Sequence, residues 1–368
     1  MTATSKQRIP TQLIPEAERG HLPADLSKLG FGQLFTDHMY CADYRPDTGW
    51  AGPRIMPFQP LALSPAAMVL HYAQTVFEGL KAFGGPNGSV RIFRPDRNAA
   101  RLAASCERIN MPPVPIEMFL DAVRTLVDIE RAWVPRAPGT ALYIRPTVIA
   151  TESVLGVRPS KEYLFFVILC PVGSYFPEGF KPINLWVSSD HVRAVRGGTG
   201  QAKTGGNYAA SLLPGQLAAK QGFSQVLYLD AIERRYVEEV GAMNVMFVVD
   251  GERIVTPALT GTILAGVTRA SAIELARHLG IPVEERPIAI DEVIDGLRPG
   301  RTGPGRITEI FGTGTAASIA PVGLLRYKDA DHAVGNREVG PIARKLYDGL
   351  QAIQYGRTND PFGWVVEI

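Results

Sequence analysis

The chain has 368 residues, and its 38 Lys and Arg against 36 Asp and Glu leave a formal charge of +2. Hydrophobic residues make up 46% and charged residues 20%, the balance of a folded globular protein rather than of a disordered chain. The length predicts about two domains, and so small a net charge provides no general field for a nucleic acid or an acidic membrane.

The first twenty residues, MTATSKQRIPTQLIPEAERG, lack an apolar core and read as a tail that frays rather than as a secretory leader. Residues 35–44 read as a strand, followed by a turn at 46–49. Residues 78–83 and 90–93 flank GGPNG, a hairpin turn. Asp96 is placed to cap a helix through Arg108, and a second helix is predicted over 115–133. In the second helix Ile116, Phe119, Leu120, Val123, Leu126 and Val127 fall on one face, as a core helix requires. Strands follow at 141–150 and 163–170. Strands and helices thus come in blocks, an α+β pattern rather than βαβ alternation.

The longest uncharged apolar run, 163–176, is too short to span a bilayer and is interrupted by Pro171 and Gly173. The stretch 171–182, rich in Gly, Pro and aromatic residues, reads as an interdomain link. Beyond it, strands are predicted at 183–188, 225–229, 234–237, 245–249 and 253–255. Further extended segments fall at 282–286, 307–311 and 318–325. Helices are predicted over 207–222, over 267–279 with Gly280 as terminator, and over 340–354. The expected division is a smaller domain at 1–173 with 1–25 as its tail, a link at 174–184 and a larger domain at 185–368. Cys41, Cys106 and Cys170 are odd in number and far apart. They offer neither zinc spacing nor a disulfide framework, so no metal and a reducing cytoplasm are expected.

The densest chemical signal is GGTGQAKTGGNY at 197–208. As a phosphate loop of the form GxxxxGK[ST], Gly197, Lys203 and Thr204 fit. Ala202 stands where the second Gly belongs, however, and the preceding 190–196 is polar where a buried strand is needed. Alternatively, Lys203 is a Schiff-base lysine, presented by glycines to an aldehyde cofactor such as pyridoxal 5′-phosphate. A Lys in a Gly-rich loop is more often simply solvated. Three neighbouring segments favour the Schiff base. EEVGAMN at 238–244 supplies a carboxylate for a ring nitrogen. Gly266, Val267 and Thr268 open a helix whose N-terminus suits an anion. GTGTA at 312–316 offers N–H and hydroxyl donors.

With these segments stand FTDHM (35–39), HYAQTVFEGLKAF (71–83), RIFRPDRNAARL (91–102), LYIRP (142–146), LGVRP (155–159), KTGGNYAAS (203–211) and FGTGTA (311–316). In this order the chain resembles the branched-chain amino acid aminotransferases of the fold-type-IV pyridoxal-phosphate group, from about Phe31 to its end. The resemblance implies a two-domain α+β fold and a homodimer or higher homo-oligomer. It also implies transfer of the amino group of L-Leu, L-Ile or L-Val to 2-oxoglutarate, giving 2-oxo acids and glutamate. Lys203 then matches the Schiff-base lysine and proton carrier, Glu239 the partner of the pyridine nitrogen, and Tyr208 the phenol on the ring oxygen. Arg101 matches the phosphate arginine, supported by Val267, Thr268 and Thr315; the residues alone would make Arg101 a solvated helix position. Phe31, Phe77, Tyr143, Tyr175 and Ala316 match the substrate pocket, and Arg145 the arginine that places the dicarboxylate. Tyr72, Leu155 and Val157 match positions that reach in from a second subunit.

Some positions depart from the pattern. Ala242 replaces a Thr of the mammalian members, Ala265 the Pro of an LPGV turn, and Ala317 and Ala320 a CxxC pair. His38 and His71 lie within the motifs but match no catalytic role. Related activities on the same fold are D-amino acid aminotransferase and aminodeoxychorismate lyase, against which the Tyr143-x-Arg145 and Leu155–Val157 segments argue. A P-loop nucleotide-binding protein is the alternative from another class.

Overall fold

The computed structural model describes residues 9–173 and 180–368. Tyr175 and much of the expected link lie outside the described residues. The chain forms two compact units, Met1–Gly173 with Phe362–Ile368, and Ser174–Pro361.

In the first unit the elements are β1 (His38–Arg45), β2 (Gly49–Pro57), α1 (Met68–Tyr72), β3 (Thr75–Phe77), β4 (Leu80–Gly84), β5 (Val90–Phe93), α2 (Pro95–Arg108), α3 (Ile116–Ile129), β6 (Ala141–Ala150) and β7 (Tyr163–Val172). The second unit holds β8 (Ile183–Val187), α4 (Gly205–Ala209), α5 (Leu212–Lys220), β9 (Gln225–Leu229), β10 (Val237–Val240), β11 (Met243–Val249) and β12 (Arg253–Thr256). It continues with α6 (Val267–His278), β13 (Val283–Glu285), α7 (Ile290–Gly296), β14 (Ile307–Gly314), β15 (Ser318–Tyr327), β16 (Ala330–Ala333) and α8 (Pro341–Gln354). Strand β17 (Val365–Glu367) belongs to the first unit.

The first unit is one antiparallel sheet in the order β17-β5-β4-β6-β7-β1-β2, with β3 beside β6. The apolar stripe of α3 faces it: Phe119, Val123 and Leu126 are buried, and Phe119 stacks on Phe165 of β7. The expected second-domain boundary at 368 is corrected here. Val365–Glu367 adds an edge strand to β5, and so short a strand carries no periodic signal.

The expected tail is likewise only partly a tail. Pro10 O accepts from Ile55 N, Gln12 N donates to Ile55 O, both at 2.9 Å, and Ile14 N donates to His38 Nε2 at 3.0 Å. His38 Nδ1 in turn lies 2.5 Å from the buried Glu130 carboxylate, so this histidine is structural.

The second unit follows β10-β9-β8-β15-β14-β11-β12-β13, and a further β10–β11 pairing closes part of that path into a ring. Its core is largely Val, Ile and Leu on β8 to β15. Several expected boundaries move. Arg94, not Asp96, precedes α2, and Asp96 lies in the first turn, where its charge suits the helix dipole. The helix expected over 207–222 divides into α4 and α5, with Pro214 in the first turn of α5, where no N–H is needed. The strand expected at 234–237 occupies Val237–Val240, so Glu239 lies within it, just ahead of the apolar strand β11. Strand β2 and helix α7 were not anticipated, since neither has a clean apolar period.

Candidate active site

In the second unit, Lys203 stands at the end of the glycine loop, just before α4, with its side chain partly buried. Its Nζ donates to Tyr208 Oη, one helical turn on, and lies 4.7 Å from the centre of that ring. Asn207 ties the loop together. Its Nδ2 donates to Thr199 O at 2.8 Å and Ala202 O at 2.9 Å, and its Oδ1 accepts from Thr199 Oγ1 at 2.7 Å. The lysine is therefore held by a bonded loop and is not on a free arm.

Glu239 on β10 is buried, with 2% exposure. Arg193 Nη1 lies 2.8 Å from its Oε2, Leu264 N donates to the same oxygen at 3.0 Å, and Asn244 Nδ2 donates to Oε1 at 3.1 Å. Burial pushes its pKa up to about 7, against the opposing pull of Arg193 and the Leu264 N–H. Arg193 also donates to Thr262 O at 2.8 Å and Gly200 O at 3.3 Å, so it ties the carboxylate to the lysine loop.

Glu239 pairs with Asn244, and Asn244 with Thr313, across β10, β11 and β14. Directly paired residues share a sheet face, so these polar side chains form one row. The Thr313 hydroxyl in that row is buried without a hydrogen-bond partner. Next to the row, Gly266 precedes α6, whose first residues are Val267 and Thr268. A Cβ on Gly266 would come within 2.0 Å of Asn244 Oδ1, so only glycine lets the helix start this close to the row. Thr315 and Ala316 lie, partly buried, at the β14–β15 turn.

In the first unit, Arg101 on α2 grips the fully buried Glu78 with both arms, Nε to Oε1 at 2.7 Å and Nη2 to Oε2 at 2.8 Å. Asn98 adds a bond to Oε2 at 2.7 Å. Phe31 meets Tyr143 edge-on at 4.9 Å, and the Arg145 guanidinium lies 4.9 Å from the Phe77 ring centre and 5.3 Å from that of Tyr143. Arg145 Nη2 donates to Tyr143 Oη at 3.2 Å, while its Nε is buried without a partner. A Cβ on Gly79 would fall 1.9 Å from Tyr143 Oη, so the glycine makes room for that phenol. Tyr72 Oη donates to Leu155 O at 2.6 Å, next to the exposed Leu155 (64%) and Val157 (88%).

Residues 75–325 match the amino-transferase class IV family. The chain belongs to that family. As a class IV aminotransferase it is 53% identical over 345 residues to the branched-chain-amino-acid transaminase 1 of Bacillus subtilis (strain 168), covering 94% of this chain and 95% of the relative. It is 50% identical to a probable branched-chain-amino-acid aminotransferase of Streptomyces coelicolor, with 93% of each chain covered. Among solved structures, it is similar to the branched-chain amino acid aminotransferase from Escherichia coli (TM-score 0.71, 27% identity, 90% of this chain and 98% of the other). It is also similar to the T.th. branched-chain amino acid aminotransferase complexed with N-(5′-phosphopyridoxyl)-L-glutamate (TM-score 0.74, 27% identity, 91% and 99%).

Class IV membership and a neighbour that holds a phosphopyridoxyl compound imply pyridoxal phosphate as the cofactor. The donor set of the second unit fits such a group. It offers an amine, a phenol, a buried carboxylate, a helix N-terminus and an orphaned hydroxyl. Among the described residues no group of three or more His, Cys, Asp or Glu could hold a metal, and no helix is long and apolar enough to cross a membrane.

Residue-level reading missed Arg193 and Asn244. Arg193 lies in the polar stretch counted against a phosphate loop, and a buried arginine leaves no periodic mark there. Asn244 was legible only as part of EEVGAMN. Glu78 likewise stood unremarked inside its motif, although it holds Arg101.

Proposed function

We propose that this aminotransferase reversibly moves the amino group of L-Leu, L-Ile and L-Val to 2-oxoglutarate, giving the branched-chain 2-oxo acids and L-glutamate. The observation that supports this most is the pairing of Lys203 with Tyr208 in the same unit as the buried Glu239 row. Pyridoxal 5′-phosphate, when bound, supplies the carbonyl that carries the nitrogen and the ring that accepts electrons from substrate Cα. Lys203 is the residue that would hold that carbonyl, and its amine would move the proton at substrate Cα. The short contact with Tyr208 keeps the amine oriented, and the phenol is placed to donate to the ring oxygen. Glu239 holds a proton on the ring nitrogen, because a buried carboxylate is stabilised by a cationic N–H partner. Arg193 and Asn244 fix its direction. Within the second unit the N–H groups at Val267 and Thr268, with Thr315, would take the phosphate; for Arg101 of the first unit the same role is implied by the resemblance alone.

Within the first unit, Phe31, Phe77 and Tyr143, which cluster beside Arg145, supply an apolar surface for the aliphatic side chain. Arg145, whose Nε is a buried donor without a partner, takes the distal carboxylate of glutamate or 2-oxoglutarate. The exposed apolar residues Leu155 and Val157, with Tyr72, favour a homodimer in which this segment serves the neighbouring subunit. Three buried free cysteines suit a cytoplasmic protein.

The test is a substrate panel on the purified protein. It should be yellow and should transaminate L-Leu, L-Ile and L-Val with 2-oxoglutarate, but not D-Ala. Lys203→Ala should lose the colour and slow the reaction on the order of 10⁴-fold. Undiminished activity in that variant would sink the assignment.

A further inference from the structure

Strand β10 carries a second buried carboxylate, Glu238, beside Glu239 where the register with β9 is irregular. Glu238 lines a cavity of about 260 Å³ that lies wholly within the second unit and has neither Lys203 nor Glu239 in its wall. Only 5% of Glu238 is exposed, and its Oε2 is buried without a hydrogen-bond partner. Leaving a carboxylate oxygen in that state is costly unless something satisfies it. We propose that this cavity is a second small-molecule site, which takes a compact organic ammonium ion with Glu238 as its counter-ion.

The wall chemistry selects that class. Of the other two acids in the wall, Glu233 is exposed, and half-buried Asp230 is already used, since its carboxylate accepts from the N–H groups of Ile232, Glu233, Arg235 and Tyr236 at 2.7–3.1 Å. Oε2 of Glu238 is therefore the acceptor left over. Besides apolar residues such as Pro257 and Ile263, the wall carries the acids Asp230, Glu233 and Glu238 against the single guanidinium of Arg196, so it stays net negative and suits an organic cation; among the described residues no group of three or more His, Cys, Asp or Glu could hold a metal ion instead. Thr260 and Thr262, whose hydroxyls lie 3.3 Å apart, add acceptors for further N–H groups. The volume is near the lower end of small-molecule sites, about 300 Å³ and upward. It limits the ligand to a small molecule.

An occupant would be felt at the active site, a coupling that rests on the proposed function. Glu238 and Glu239 are neighbours, and Arg193 acts on both carboxylates while donating to Thr262 O in the cavity wall. A positive charge beside Glu238 therefore favours ionised Glu239.

The probe is N-methylpiperidinium, a tertiary ammonium that cannot condense with a pyridoxal carbonyl. Calorimetric titration into the holoenzyme should give one saturable site per chain. Glu238→Gln should weaken it at least about tenfold. Ala258→Trp, which fills the cavity from a loop outside the active-site row, should abolish it while leaving transamination without probe within about twofold. That second variant decides the question should Glu238→Gln fold poorly. No binding at tens of millimolar, or equal affinity in wild type and both variants, overturns the site. If the probe binds but the absorbance of the bound cofactor keeps the same pH midpoint, the coupling to Glu239 is overturned and the site stands. Because binding is read by heat, a failure here is distinct from a failure of the transamination assay.

Discussion

The two units solve the same problem, a buried carboxylate, in different ways. In the first, Glu78 is locked by a two-armed grip from Arg101 and a bond from Asn98, with both helpers on α2. In the second, Glu239 is reached by one arm of Arg193, an amide from Asn244 and a single backbone N–H, donors that come from three separate segments. A paired, helix-borne grip makes a rigid strut that fixes both side chains. Burial raises the pKa of Glu239 to about 7, against the opposing pull of Arg193. The same pair of residue types thus makes a two-armed strut in one unit and a one-armed contact to a carboxylate of raised pKa in the other.

Substitutions can break this contrast. Glu78→Gln should have the largest effect on folding. Removing one member of a buried pair costs about 3–5 kcal/mol, read as a lower midpoint in urea unfolding. Loss of turnover with unchanged stability would instead make Glu78 a working carboxylate. Glu239→Gln should do the reverse, lowering kcat on the order of 10²–10³-fold with the protein still folded, as steady-state kinetics and circular dichroism would show. Gly266→Ala should be milder, about 1–3 kcal/mol of overpacking, because its Cβ drives Asn244 away from Glu239. Weaker cofactor retention on dialysis, without loss of the first unit's fold, is the expected sign.

The smallest effect is a slope with pH. Glu239 has its pKa raised in the folded state from 4.5 to about 7, so between those values the folded protein binds more protons than the unfolded one. Stability of the cofactor-free protein should then fall as pH rises through that window, by at most about 1.4 kcal/mol per pH unit from this group. Glu239→Gln should flatten the curve without abolishing its slope, since Glu238 and Glu130 are raised as well. A steeper fall in the variant would contradict the burial argument.

Much of this was legible in the chain itself. The α3 stripe, the β6 and β7 runs and the Gly280 stop were read from periodicity and turn chemistry, and the structure has them. The lysine loop was recognised by its glycines and by the segments around it. Boundaries failed where local signals are weak: β17 has three residues, β2 has no alternation, and Pro214 divides a helix that the apolar pattern alone would continue.

The sequence by itself determined the α+β class, the family and the lysine loop proposed to carry the chemistry, because these rest on local periods and ordered motifs. Only the tertiary structure decided that Arg193 and Asn244 hold Glu239, that Glu78 holds Arg101, and that Glu238 faces a separate cavity. Those relations join residues from 5 to 46 positions apart through strand pairing and side-chain burial. Spacing along the chain cannot express them, since they depend on which strands pair and in what register, as Glu239 opposite Asn244 shows.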